Sequence, residues 1–144
     1  MSYWDHTKQP MREVSIYDSS EEFLRAFSRL PIYVGDLLAT HWALSEISNG
    51  GFHQFFRNPT GVLAPEASQG FERMGLPHVG DLIRCAMEHF GQRYPRTQQE
   101  RMLFLAHHGP EVFESLETEL YDIGAPNLDR IYDVMDHYAE QNAL

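Results

Sequence analysis

The chain has 144 residues, a formal net charge of -10 and a single cysteine, Cys85. This length fits one domain with its own core, the lone cysteine excludes an internal disulfide, and the 42% hydrophobic content excludes a disordered chain. The N-terminus lacks a basic segment followed by an apolar run, and no apolar stretch approaches about 18 residues, so we expect a cytoplasmic protein with no membrane partner.

Helix signals begin near residue 19. Residues 1–19 are therefore predicted to be an irregular N-terminal segment, and residues 20–144 a single all-helical domain. Ser19 and Glu22 form a capping box that opens a helix through about Leu30. A second helix is predicted over about 32–48, ended by a pair of glycines with a left-handed cap.

The remainder of the chain repeats helix-start and helix-stop signals without strand signals. A capping box at Thr97 and Glu100 marks one start, and the run from Met102 to Ala106 is predicted to be buried on several sides. No segment alternates with β-branched residues, so the fold class is all-α, a single compact multi-helix domain of about six to eight helices. The further helices are predicted at about 51–57, 64–74, 77–90, 110–123 and 126–141, with another that starts at the Thr97 capping box.

Negative charge is concentrated at the C-terminal end of the sequence. Residues 111–144 hold nine acids and one base, Arg130, whereas residues 1–110 are close to neutral, with twelve acids and ten bases. Because phosphate contacts need Lys and Arg, direct binding of nucleic acid is disfavoured, and a basic protein partner is favoured.

The last predicted helix separates its apolar and acidic residues onto two sides. At 100° per residue four carboxylates fall within about 60° of one another, with the apolar positions opposite. The preceding helix shows a similar division, so the two helices are predicted to form an acidic face that binds the partner. We expect this face to contain Glu111, Glu114, Glu117, Asp122, Asp129, Asp133, Asp136 and Glu140.

Residues 46–61 combine paired glycines, three phenylalanines and several polar side chains. Glycine permits positive φ at a helix end, and amides spaced four apart can bond loose backbone groups at a corner. We interpret the segment as a structural helix-to-helix corner clamped by its phenylalanines. The alternative is a small-molecule-binding or hydrolytic pocket around Glu46, Asn49, His53, Gln54 and Asn58.

This segment resembles the signature of the DNA-mimic protein family, catalogued as domain of unknown function 4375. The resemblance continues through Ala64-Pro65-Glu66-Ala67 to Met74-Gly75. It implies an all-helical fold and, through one acidic member that occupies the DNA-binding face of a transcription factor, a role carried by surface carboxylates. The residues that carry the resemblance are Glu46, Asn49, Gly50, Gly51, Phe52, Gln54, Phe55, Phe56, Asn58 and Gly61.

Other residue types give weak chemical signals. None of the eight histidines belongs to an H-E-x-x-H motif, and Cys85 reads as a small core residue rather than the nucleophile of a pair with His89. We therefore predict no catalytic residue, no metal and no cofactor. The leading interpretation is a non-enzymatic acidic protein that mimics DNA toward a DNA-binding protein. A toxin-neutralising role would use the same face, and the oligomeric state stays open, with a dimer as one option.

Overall fold

A computed structural model describes residues 2–143, and the outermost residues of the two predicted segments, Met1 and Leu144, lie outside this range. The described residues form eight α-helices and two 3-10 helices without a β-strand, which confirms the all-α fold class. The α-helices are α1 (Tyr3–Glu13), α2 (Ser20–Phe27), α3 (Ile32–Arg57), α4 (Ala64–Arg73), α5 (Pro77–Glu88), α6 (Gln98–Leu105), α7 (Glu114–Gly124) and α8 (Asp129–Asn142), and the 3-10 helices are Pro59–Leu63 and Pro110–Phe113.

Helix α3 is the centre of the molecule. It contacts α1, α4, α6, α7 and α8, and half of its residues are buried. An aromatic cluster lies at its C-terminal end, where the ring of Phe56 is 5.0 Å from Phe90 and 5.4 Å from Phe113 between centroids. Phe52, Phe55 and Phe56 are all fully buried, as the predicted clamp requires.

Two of the predicted helix starts are confirmed by their caps. The Ser19 hydroxyl accepts from the Glu22 amide at 3.2 Å, and the Thr97 hydroxyl accepts from the Glu100 amide at 3.4 Å. Each cap pairs one of the backbone donors that a helix start leaves free. Helix α2 ends at Phe27, three residues before the predicted end.

The N-terminal segment was predicted to be irregular, and this prediction is wrong for residues 3–13, which form α1. Tyr3 and Thr7 are buried one turn apart, where α1 packs on α3 and α8. A buried threonine and a mid-helix Pro10 hide the usual apolar period, so the helix is recognisable only from the surface it packs against.

Two burial predictions are also corrected. In the run from Met102 to Ala106, Met102 is 48% exposed and Leu103 is 65% exposed, while Leu105 is buried. Cys85 is exposed and is not part of the core face of α5. Among residues 2–143, no helix is long and apolar enough to cross a membrane.

Candidate functional site

Helix α3 is broken at its glycine pair, which confirms the predicted interruption. Gly50 has φ -149° and ψ 18°, and Gly51 has φ 77° and ψ -177°. The positive φ was expected, but the ψ of Gly51 is extended and therefore differs from that of a left-handed cap. Such a break removes the helical partners of the neighbouring backbone groups, so the Ile47 carbonyl and the Phe52 amide need bonds from elsewhere.

The polar side chains of the segment bond mainly to one another. The Glu46 carboxylate accepts from the Asn58 amide at 2.6 Å and from the Gln54 amide at 3.2 Å, and the Gln54 oxygen accepts from Asn49 at 3.2 Å. His53 does not join this network and instead lines a cleft of about 210 Å³ with residues of α6. Because four members of the predicted pocket use their polar atoms on each other, the arrangement braces the corner.

Arg101 completes the corner, and sequence reasoning missed it. Its side chain is fully buried, with Nε donating to the Phe56 carbonyl at 2.8 Å and Nη2 to the Asn58 carbonyl at 3.1 Å. Nη1 donates to the carbonyls of Pro95 and Arg96 at 3.2 and 2.8 Å. Burial lowers the pKa of this guanidinium. A cation at the C-terminal end of α3 is favoured by the helix dipole and pairs its last carbonyls.

Six of the eight predicted acidic-face carboxylates are exposed. Within residues 2–143 none of them forms an ion pair, and Arg130 forms none either, whereas every Lys or Arg ion pair lies before residue 111. We call these six the exposed acidic face. Its members are Glu111, Glu114, Asp122, Asp129, Asp133 and Glu140.

Glu117 was predicted to face outward, and the structure corrects this. Its Oε2 accepts from the Phe52 amide at 2.6 Å, which pairs the donor freed by the break in α3. Burial raises the pKa of the Glu117 carboxyl, and the bond from Phe52 offsets part of that effect. One turn later on α7, the Tyr121 hydroxyl donates to the Ile47 carbonyl at 3.2 Å, which pairs the freed acceptor.

Asp136 is the second carboxylate that differs from the prediction. Its Oδ1 accepts from the Tyr3 amide at 2.7 Å, at the first residue of α1. The buried side of α8 is confirmed, since Leu128, Ile131 and Met135 are all 2% exposed or less. Glu117 and Asp136 thus accept from backbone amides at the starts of two helical segments of this chain, which separates them from the six exposed carboxylates.

No group of three His, Cys, Asp or Glu side chains among residues 2–143 is arranged to hold a metal ion. The His41 ring nitrogen Nδ1 lies 2.8 Å from the Tyr3 hydroxyl, and burial lowers the pKa of His41. The His89 ring lies edge-on to Phe113 at 5.3 Å.

Comparison with protein families gives a match. A family model described as DMP19-like protein matches residues 28–142, which leaves α1 and α2 before the matched range. The match does not include the label of domain of unknown function 4375. No curated protein and no solved structure matches the chain.

Proposed function

Because the chain belongs to the DMP19-like protein family, which is a DNA-mimic family, we propose that its exposed acidic face occupies the basic DNA-binding surface of a partner protein. In this role the protein is a non-enzymatic binding protein of the cytoplasm. It acts by competition, since the partner cannot hold DNA and this face at the same time.

The observation that carries the proposal is the absence of cationic partners for these carboxylates. Six exposed acids lie on two neighbouring helices and a 3-10 turn, and within residues 2–143 none is paired. Helix surfaces usually mix the two signs because pairs spaced four apart stabilise the helix. Unpaired like charges repel one another, and a basic surface would remove this repulsion on binding.

Charge spacing sets how this face compares with DNA. Asp129 and Glu140 are about 16 Å apart along α8 at 1.5 Å per residue, and three exposed carboxylates span that length. A DNA strand presents one phosphate about every 3.4 Å of axis, or roughly five over the same length. The face therefore has a lower charge density than one DNA strand, so duplex DNA at sufficient concentration should displace it from the partner.

The test is capture followed by elution with DNA. The immobilised protein is exposed to the heparin-retained fraction of host cytosol, and bound proteins are eluted first with duplex DNA of random sequence and then with salt. We expect a basic protein to elute with DNA. We also expect no capture when the six carboxylates of the exposed acidic face are changed to their amides.

A matched variant controls for total charge. It changes six exposed carboxylates outside the face, Glu13, Asp18, Glu21, Glu22, Glu72 and Glu88, to amides. This variant should capture as the unchanged protein does. Equal loss in both variants would mean that only net charge matters, and capture that DNA does not reverse would contradict mimicry.

A further inference from the structure

Helix α7 carries exposed carboxylates and also two side chains, Glu117 and Tyr121, that bond to the backbone beside the break in α3. Glu117 and Tyr121 are four residues apart, so they lie on one side of α7, one turn from each other. Their partners, the Phe52 amide and the Ile47 carbonyl, are the donor and the acceptor freed on the two sides of the glycine pair. Helix α7 therefore supplies one acceptor and one donor to the backbone on the two sides of the break.

We infer that Glu117 and Tyr121 are positioning residues, which fix the rotation and the register of α7 and thereby aim the exposed acidic face. The inference rests on the proposed function, because it names what holds that face in place. It also assigns a role to the Asn-Gly-Gly segment, which is to expose two backbone groups for α7.

The geometry leaves little freedom at this contact. A side chain at Gly51 would place its Cβ 2.1 Å from Glu117 Oε2, so the carboxylate lies directly over the glycine. Two bonds one turn apart fix both sliding and rotation, since a rotation of 100° or a shift by one turn breaks both. A single bond would leave rotation about its own axis.

The two positioning residues differ from their neighbours on the same helix. Glu114 and Asp122 form no ion pair within residues 2–143, whereas Glu117 and Tyr121 bond the corner, although Tyr121 remains 39% exposed. Glu117 thus acts on the partner through the position of α7 and does not touch the partner. This distinguishes it from the six carboxylates of the exposed acidic face.

A distance measurement tests the positioning without any partner. In a Cys85→Ser background, spin labels are attached through Ser45→Cys on α3 and Ser115→Cys on α7, both at exposed positions. We expect the pair Glu117→Ala and Tyr121→Phe to shift or broaden the distance distribution. The control Thr118→Val, at an exposed position whose hydroxyl donates to the Glu114 carbonyl of the same helix, should leave it unchanged.

A second measurement separates position from charge. Glu117→Gln keeps an oxygen that accepts from the Phe52 amide but loses the charge, whereas Glu117→Ala loses both. If Glu117 positions α7, Glu117→Gln keeps both the distance distribution and the DNA-reversible capture, and Glu117→Ala reduces the capture at least about tenfold, as loss of a charged hydrogen bond allows.

The outcomes separate this inference from the proposed function. An unchanged distance distribution in the Glu117→Ala and Tyr121→Phe pair overturns the positioning role. Equal loss of capture in Glu117→Gln and Glu117→Ala, with α7 in place, makes Glu117 a contact residue and also overturns it. A shifted α7 in a protein that captures nothing supports the positioning role and contradicts the proposed function.

Discussion

Helix α7 contributes residues both to the glycine break in α3 and to the exposed acidic face, and these two regions use polar side chains in opposite ways. At the break charged side chains are matched to specific partners, as with Glu46, Arg101 and Glu117. The six carboxylates of the exposed acidic face present only charge, and none of these six is bonded to a cation from residues 2–143. The first region should therefore govern stability, and the second should govern binding.

The largest expected effect is at the break. Gly51→Val places a β-branched residue at φ 77° and collides with the Glu117 carboxylate. Backbone strain and the lost bond together should lower the free energy of unfolding by about 3–6 kcal/mol. Denaturant melting measures this loss. Gly75→Ala is the control, because φ is 87° there but no atom lies within 4 Å of the added carbon, so its loss should be smaller.

A somewhat smaller effect is expected at the buried cation. Arg101→Met keeps much of the side-chain volume but takes the guanidinium donors away from the carbonyls of Phe56, Pro95 and Arg96. We expect a loss of about 3–5 kcal/mol, comparable to other disrupted buried polar contacts. Arg93→Met, at an exposed position, should change the unfolding free energy little. Equal losses in the two variants would contradict a stabilising role for the buried bonds of Arg101.

The acidic face should behave in the opposite way. Changing its six carboxylates to amides relieves repulsion, but it also removes favourable acids near the starts of α7 and α8. These effects oppose each other, so the free energy of unfolding should change by less than about 1 kcal/mol. Thermal melting measures this change. A collapse of stability would show that the face is structural.

The smallest expected effect is the pH dependence contributed by Glu117. Its folded pKa is raised above the ordinary value of 4.5, so the folded state holds this proton more tightly than the unfolded state. Stability from this group is therefore present below the ordinary pKa and is lost as the pH rises through the raised folded pKa. Melting temperatures measured across this window should fall less in Glu117→Gln than in the unchanged protein. An identical fall would contradict the assigned pKa direction.

Local signals in the sequence predicted much of the fold. The caps at Ser19 and Thr97 and the break at Gly50-Gly51 are encoded within a few residues, and all three are confirmed. Helix α1 was missed because its buried positions, Tyr3 and Thr7, depend on α3 and α8, which lie far along the chain.

The roles of individual charged residues were less accessible. Glu117 and Asp136 occur in an acidic stretch, and their amide partners lie 65 and 133 residues away, so spacing alone could not separate them from the outward carboxylates. Arg101 was indistinguishable from the other scattered basic residues. Its burial follows from the four carbonyls that surround it in the folded chain.

The most direct test of the central claim is competition in solution. The basic partner obtained by DNA elution is mixed with labelled duplex DNA at about 0.15 M salt. The 144-residue acidic protein is then added, and the fluorescence anisotropy of the DNA is followed. DNA mimicry predicts that the DNA is released as the concentration of the acidic protein rises, and that its variant with six amides in the exposed acidic face releases none. A ternary complex, or retention of labelled DNA by this protein alone, would contradict it.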